Sequence, residues 1–263
     1  MTRRPLDAEL VRRGLTGTRA EAREAVEAGI VQVAGVVASK PATMVADDAA
    51  IALLAASRPF VSRAGSKLDA ALERFAIDPT GCRCLDAGAS TGGFTDALLQ
   101  RGAGRVVAVD VGYGQLAWEL RTDPRVTVLE RTNVRDLTPD DLSGPVDLVV
   151  ADLSFISLRV VLPVLHQLAV PTAPIVVLVK PQFEAGKASI EKGGVVRDPG
   201  VWARVLDDVV ETARTLGLGA RAAMASPLRG PAGNVEFLMQ LGPGRTDGAD
   251  LAAAVAEGVA TRP

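Results

Sequence analysis

Between Arg83 and Leu241, short apolar runs rich in β-branched residues alternate with stretches whose apolar positions recur every three or four residues. The runs RCLDAGAS, RVVAVDVG, VTVLER, VDLVVADLS, IVVLVKP, RAAMASP and NVEFLMQL predict seven strands. Helices are predicted from Gly93 to Gly102, Gln115 to Arg121, Leu158 to Leu168 and Val201 to Leu216. A run such as Ile175 to Val179, apolar at every position, predicts a strand covered on both faces. Strands alternating with helices predict an α/β fold with a doubly wound, mostly parallel seven-stranded sheet, in which ligands bind at the carboxyl ends of strands. Leu68, Ala71, Leu72 and Phe75 mark an amphipathic helix ahead of the first of these strands. The segment after Leu241 is rich in Gly and Ala and reads as a loose terminal helix.

Residues 1–57 have a different pattern and read as a small α+β domain. In RPLDAELVRRGL the residues Leu6, Leu10, Val11 and Leu15 share a helical face, which ends near Gly14 and Gly17. TRAEAREAVEAG predicts a second helix, capped by Thr18 and stopped at Gly29. IVQVAGVVASKPATMVADDAAIAL predicts short strands separated by Gly35 and by a turn at Lys40-Pro41. Arg19 and Arg23 are four apart and share a face of the second helix, and Arg12 and Arg13 are available from the first. Arg58-Pro59-Phe60-Val61 begins a linker, residues 58–63, and residues 64–263 form the second domain.

The chain has 263 residues, 48% hydrophobic and 23% charged, a folded and not a disordered composition. No window approaches the ~20 apolar residues a bilayer span needs. No secretory leader opens the chain, so a cytoplasmic location with no membrane partner is expected. Cys82 and Cys84 lie on one side of a strand and lack the Cys and His partners of a zinc site. They are expected to be packing residues in a reducing compartment, with no metal, and His166 is likewise expected to pack in its helix. No obligate protein partner is evident.

Charge changes the picture more. Residues 1–67 carry 10 Lys or Arg against 7 Asp or Glu, whereas the remainder carries 19 against 24. A basic head on an acidic body predicts that the head meets a polyanion. The chain also has 24 arginines but only five lysines: Lys40, Lys67, Lys180, Lys187 and Lys192. A guanidinium stays protonated in a protein, whereas an amine can give up its proton. A lysine kept at a strand end, as Lys180 is, is therefore a candidate for proton chemistry.

The strongest local signal is CLDAGASTGGFTD. A strand ends at Asp86, a turn carries Gly88, Gly92 and Gly93, and a helix begins. The glycines let the backbone approach a ligand closely. Asp110 closes the next strand, where a carboxylate can accept from ribose hydroxyls. A dinucleotide site would use GxGxxG to seat a pyrophosphate. Here the spacing is Gly88-x-x-x-Gly92-Gly93, and an acidic residue precedes it, which suits a cationic ligand such as S-adenosylmethionine. The candidate cofactor residues are Asp86, Gly88, Ala89, Ser90, Thr91, Gly92, Gly93, Phe94, Asp110 and Asp152.

The motifs LDxxLVxxGL, TRxxAxxxVxxGxVxVxG and KPxxxV together resemble the S4 RNA-binding domain over about 50 residues. That resemblance implies contacts to structured RNA from Arg4, Arg12, Arg19 and Arg23, with Arg63 beside the second domain. Asp152 and Lys180 end neighbouring strands, Glu236 opens a late one, and Lys67 begins the helix before the sheet. The set Lys67, Asp152, Lys180 and Glu236 resembles the K-D-K-E tetrad of the FtsJ-like ribose 2′-O-methyltransferases. Their chemistry explains the residue types. A ribose hydroxyl is a poor acid that must lose its proton as it attacks a methyl group, and Lys180 would be the general base. Lys67 would favour the neutral amine by like-charge repulsion or position the 2′-oxygen, while Asp152 and Glu236 would hold the lysines.

With DAGASTGGFTD, DVGYGQLAW, ADLSFISL, KPQFE and GNVEF, the chain is similar to the hemolysin A (TlyA) family from about Arg4 to Leu241. The resemblance implies 2′-O-methylation of cytidine in ribosomal RNA, with ribosomal RNA or ribosomal subunits as partner. Two other readings make different predictions. A non-catalytic RNA-binding or assembly factor would bind RNA without needing Lys180. A membrane-active hemolysin would need a spanning or strongly amphipathic surface segment, and none is legible.

Overall fold

The computed structural model describes residues 3–27, 30–53, 60–186, 189–191, 193–244 and 248–261. The expected helix stop at Gly29, the linker residues Arg58 and Pro59, and Lys187 and Lys192 lie outside the described residues. The chain divides into two compact units, Met1–Pro59 and Phe60–Pro263.

In the first unit, β1 (Arg3–Pro5) leads directly into α1 (Leu6–Arg12), followed by α2 (Arg19–Glu27) and four short strands. These are β2 (Val31–Val33), β3 (Val36–Val37), β4 (Met44–Ala46) and β5 (Ile51–Leu53). β1 pairs antiparallel with β4, and β2 lies between β3 and β5. Leu6 and Leu10 of α1 meet Ala22, Ala25 and Val26 of α2 over Val31 and Val45, with Val11 and Leu15 at the margin. Thr18 caps α2 reciprocally. Its Oγ1 accepts from Glu21 N at 3.2 Å, while Glu21 Oε2 accepts from the backbone of Thr18 and Gly17 at 3.2 and 2.7 Å.

The second unit is built on seven strands: β6 (Arg83–Ala87), β7 (Arg105–Val109), β8 (Val126–Leu129), β9 (Leu148–Ala151), β10 (Ile175–Val179), β11 (Leu218–Ala225) and β12 (Phe237–Pro243). Their spatial order is β11-β12-β10-β9-β6-β7-β8, and β12 alone runs against the rest. One face is covered by α3 (Arg63–Arg74) and α4 (Gly93–Gln100), the other by α6 (Leu158–Gln167) and α8 (Pro199–Thr215). The chain reverses between β9 and β6, so the ends of those strands and of their neighbours form the crevice where such sheets bind ligands. α8 starts two residues ahead of the sequence reading because Asp198 caps it through Gly200 N and Pro199 occupies the first position.

Two elements differ from expectation. Gln115 to Ala117 are not helical, and only α5 (Trp118–Arg121) forms. Gly114 has φ +70°, Gln115 accepts from Ser90 Oγ, and Ala117 N donates to Thr91 O, so this stretch braces the glycine loop instead. The terminal segment is an anchored helix, α9 (Leu251–Ala260), capped by Asp250. Ala254 and Gly258 are buried beneath it, and a Cβ at Gly258 would lie 3.0 Å from Val235. Its small residues let the helix lie close to the sheet instead of leaving it loose.

Candidate active site

Side chains alternate across a strand, so the parity of a position decides which layer it enters. Cys84, Leu148, Val150, Val176, Leu178 and Leu238 pack with Leu68 and Leu72 of α3 and Leu98 of α4. The same parity, carried to the strand ends, leads to Asp86, Asp152, Lys180 and Glu236 on the side covered by α3. Lys67 of α3 reaches this cluster. Its Nζ lies 2.6 Å from Glu236 Oε2, and both residues are buried. Lys180 Nζ lies 2.6 Å from Asp152 Oδ1 and donates to Ser154 Oγ at 2.9 Å. Lys180 and Glu236 each stand one step beyond the last paired residues, Val179 and Phe237, of adjacent strands. The four residues form two ion pairs on neighbouring strand ends.

Pro181 stops the pairing of β10 after Lys180 and opens a single helical turn, α7 (Pro181–Glu184). This turn is fastened to the exit of β9. Glu184 accepts from Ser157 Oγ at 2.5 Å and from Leu158 N at 2.7 Å, capping α6. Burial raises the Glu184 carboxyl above its ordinary range, against the pull of those two hydrogen bonds. The Phe183 ring packs on Phe155 at 5.1 Å between centroids and lies 5.7 Å from Lys180 Nζ. Phe155 is 91% exposed with φ +63°, a left-handed backbone that a bulky residue adopts rarely.

Beside this cluster, Gly88, Ser90, Asp110 and Asp152 line a cavity of about 410 Å³. Gly88 has φ +87°, and a Cβ there would stand 2.5 Å from Asp152 O, so only glycine lets β6 and β9 close at that point. Asp110 anchors the loop by accepting from Ser90 N at 2.8 Å and Gly112 N at 2.7 Å. Asp86 does not line the cavity. It is fully buried below the loop, where Oδ2 accepts from Thr95 Oγ1 at 2.7 Å and Oδ1 has no hydrogen-bond partner. Burial raises the Asp86 carboxyl to about 7, opposed by Thr95 and reinforced by the charges of Asp152 and Asp110. Two carboxylates on the cavity wall, Asp110 and Asp152, with the unpaired buried oxygen of Asp86 below the loop, fit a cationic, amine-bearing ligand and disfavour a phosphate.

Of the other cofactor-loop residues, Ala89, Thr91, Gly92, Gly93 and Phe94 build the turn and the start of α4 instead of lining the cavity. Gly93 and Gly65 bring α4 and α3 together, since a Cβ on Gly65 would lie 2.9 Å from Gly93 O and overlap Phe60. The sequence reading missed the cavity walls supplied by Gln115, by Thr132 to Val134, and by Leu153 to Ile156. A strand followed by polar residues, Glu130 to Asn133, was the available signal for the second wall. Arg63 opens α3, is exposed, and lies one helical turn from Lys67.

In the first unit the predicted RNA-contact arginines gather around two buried carboxylates. Arg19 and Arg23 lie 2.9 and 3.1 Å from Asp7. Arg12, Arg13 and Arg4 lie 2.5, 2.8 and 3.6 Å from Glu9. Asp7 is 3% exposed and Glu9 1%. Burial raises the Asp7 carboxyl, but hydrogen bonds from Arg23 and Arg19 outweigh it and hold the group below its ordinary value. Hydrogen bonds from Arg12 and Arg13 hold Glu9 well below the usual carboxylate range. Among the described residues no cluster of His, Cys, Asp and Glu could hold a metal ion. Nor is any helix among them long and apolar enough to cross a membrane.

The strand order, the glycine turn and the carboxylates at the strand ends define the second unit as a Rossmann-like methyltransferase fold. Residues 60–243 match the FtsJ-like methyltransferase family and residues 4–51 match the S4 domain. The chain belongs to the FtsJ-like methyltransferase family, in the hemolysin A (TlyA) group, and joins that fold to an S4 domain. It is 58% identical to the 16S/23S rRNA (cytidine-2′-O)-methyltransferase TlyA of Mycobacterium tuberculosis, across 90% of this chain and 88% of that protein. It is 36% identical to hemolysin A of Brachyspira hyodysenteriae, across 89% of this chain and 97% of that protein. A solved structure of a candidate hemolysin from Streptococcus thermophilus matches 99% of this chain and 97% of that one, with TM-score 0.78 and 37% identity.

Proposed function

We propose that this chain methylates the ribose 2′-hydroxyl of cytidine in ribosomal RNA, using S-adenosylmethionine, in the cytoplasm where ribosomes are its substrate. The observation that carries the reading is the Lys180–Asp152 pair at 2.6 Å, because Asp152 also lines the cofactor cavity. Base and methyl donor thus share one carboxylate. Bound S-adenosylmethionine supplies an electrophilic methyl group on a sulfonium centre. Gly88, Ser90 and Asp110 would hold its nucleoside part, and the carboxylates of Asp110 and Asp152 favour its positive charge.

The remaining work falls to the chain's own side chains. Lys180 Nζ takes the 2′-hydroxyl proton as the oxygen attacks. Asp152 orients the amine and balances its charge after proton transfer. Lys67, fixed by Glu236 on the neighbouring strand end, steadies the developing negative charge on the ribose oxygen. Holding that oxygen in line with the methyl group supplies a large part of the rate. Phe155, exposed and backed by Phe183 beside Lys180, offers its ring to the base of the target nucleotide. In the S4 unit, five arginines oriented by Asp7 and Glu9 would grip phosphates.

The test is methyl transfer from labelled S-adenosylmethionine to purified 30S and 50S subunits, followed by nucleoside analysis. Label at the 2′-oxygen of cytidine is expected. Label on a base, or RNA binding without transfer to either subunit, would overturn the proposal.

A further inference from the structure

We infer that Ser154 is a positioning residue for Lys180, whose hydrogen bond, beside the ion pair to Asp152, aims the amine lone pair at the ribose hydroxyl. The inference rests on the proposed role of Lys180 as base. A lysine nitrogen has three directions open beyond its carbon. A neutral amine fills two of them with N–H bonds and the third with the lone pair that accepts the proton. Lys180 Nζ has two oxygen partners here: it is ion-paired with Asp152 Oδ1 at 2.6 Å and donates a hydrogen bond to Ser154 Oγ at 2.9 Å. Both come from the same turn after β9, two residues apart. With one N–H directed to Ser154 and the nitrogen drawn to Asp152 on the same turn, the side away from the turn is left for the lone pair.

A single acceptor would leave the amine free to rotate about its Cε–Nζ bond, moving the lone pair away from the substrate for much of the time. The directed hydrogen bond to Ser154, added to the ion pair with Asp152, removes that freedom. The step then balances without Ser154 gaining or losing a proton. The 2′-hydroxyl proton passes to the Nζ lone pair, the oxygen's electron pair forms the bond to the methyl carbon, and the methyl–sulfur pair returns to sulfur. The ammonium that results keeps Asp152 and Ser154 as acceptors.

The other groups around Lys180 do not replace this function. The Phe183 ring, 5.7 Å from Nζ, provides no directed acceptor. Glu236, on the adjacent strand end, is engaged by Lys67 at 2.6 Å. Ser154 is exposed and packs into no core, so its removal leaves no cavity. Ser154 also lines the cofactor cavity, so cofactor binding has to be measured beside the rate.

The experiment compares single-turnover methyl transfer by wild type, Ser154→Ala, Ser154→Thr and Lys180→Ala at saturating ribosomal substrate and S-adenosylmethionine, across the pH range. Ser154→Ala is expected to lose about 10- to 100-fold in rate, the scale of a small misplacement of a catalytic group. Its cofactor and RNA dissociation constants should stay near wild type. Ser154→Thr, which keeps the hydroxyl, should recover most of the rate. A wild-type rate in Ser154→Ala would overturn the inference. So would a loss matched by weaker cofactor binding, or a failure of Ser154→Thr to recover. If Lys180→Ala is fully active, the base assignment itself fails. If Lys180→Ala is inactive while Ser154→Ala is normal, only the role of Ser154 fails.

Discussion

Asp86 lies one residue before the end of β6, buried beneath the glycine turn. Its carboxyl, ordinarily near 3.8, is raised to about 7 because burial strips its hydration. A group raised in the folded state contributes stability that is complete below its unfolded value and is lost as pH rises through its folded value. Asp86→Asn, which keeps an acceptor for Thr95 but does not titrate, should therefore gain stability relative to wild type between about pH 4 and pH 7. Denaturation of the cofactor-free protein at several pH values reads this directly, and a difference independent of pH would refute it. The sequence marked Asp86 as a cofactor residue because it ends a strand before glycines. Its position below the cavity depends on Thr95, nine residues on, which turns one carboxylate oxygen away from the crevice. The pairing of the tetrad was likewise only half legible. Strand ends placed Asp152 and Lys180 together, but Lys67 meets Glu236 through the packing of α3, which no local pattern specifies.

At the scale of elements, the parity of β6, β9, β10 and β12 carries the chemistry. Each strand was readable from its apolar run, and one shared face follows once the register is set. What the pattern did not disclose is how closely α3 must approach. Gly65 and Gly93 meet at the beginnings of α3 and α4, and Val61 N donates to Asp96 Oδ2 at 2.7 Å to fasten the same corner. Gly65→Ala would drive a methyl into Phe60 and Gly93 O, at a cost of about 1–3 kcal/mol for overpacking. It should also lower methyl transfer by displacing Lys67, while RNA binding by the S4 unit persists. Urea denaturation and turnover measured on the same preparation check both halves. An unchanged rate would separate α3 from the catalytic geometry. The shortened α5 has a similar explanation. Its apolar spacing reads as helix, but Gln115 and Ala117 are occupied with Ser90 and Thr91 of the glycine loop.

For the molecule as a whole, two units divide recognition from chemistry. The basic excess of the first 67 residues pointed to a polyanion, and the structure shows how that charge is arranged. Asp7 and Glu9, read in the sequence only as helix positions, sit under the arginines and hold them in fixed pairs. Arg19→Ala leaves Asp7 its partner Arg23, so the unit should stay folded. Each phosphate contact removed should flatten the slope of log affinity against log salt by about 0.7–0.9. RNA titrations with the full chain across a salt series test this, and an unchanged slope would remove Arg19 from the interface. Single-turnover methyl transfer by Lys180→Ala and Lys180→Arg, with cofactor and RNA binding measured in parallel, decides whether Lys180 is the base. Both variants should bind, and both should slow by about 10²–10⁴-fold, arginine included, because a charge without a removable proton cannot act as the base. Wild-type transfer by either variant would contradict it.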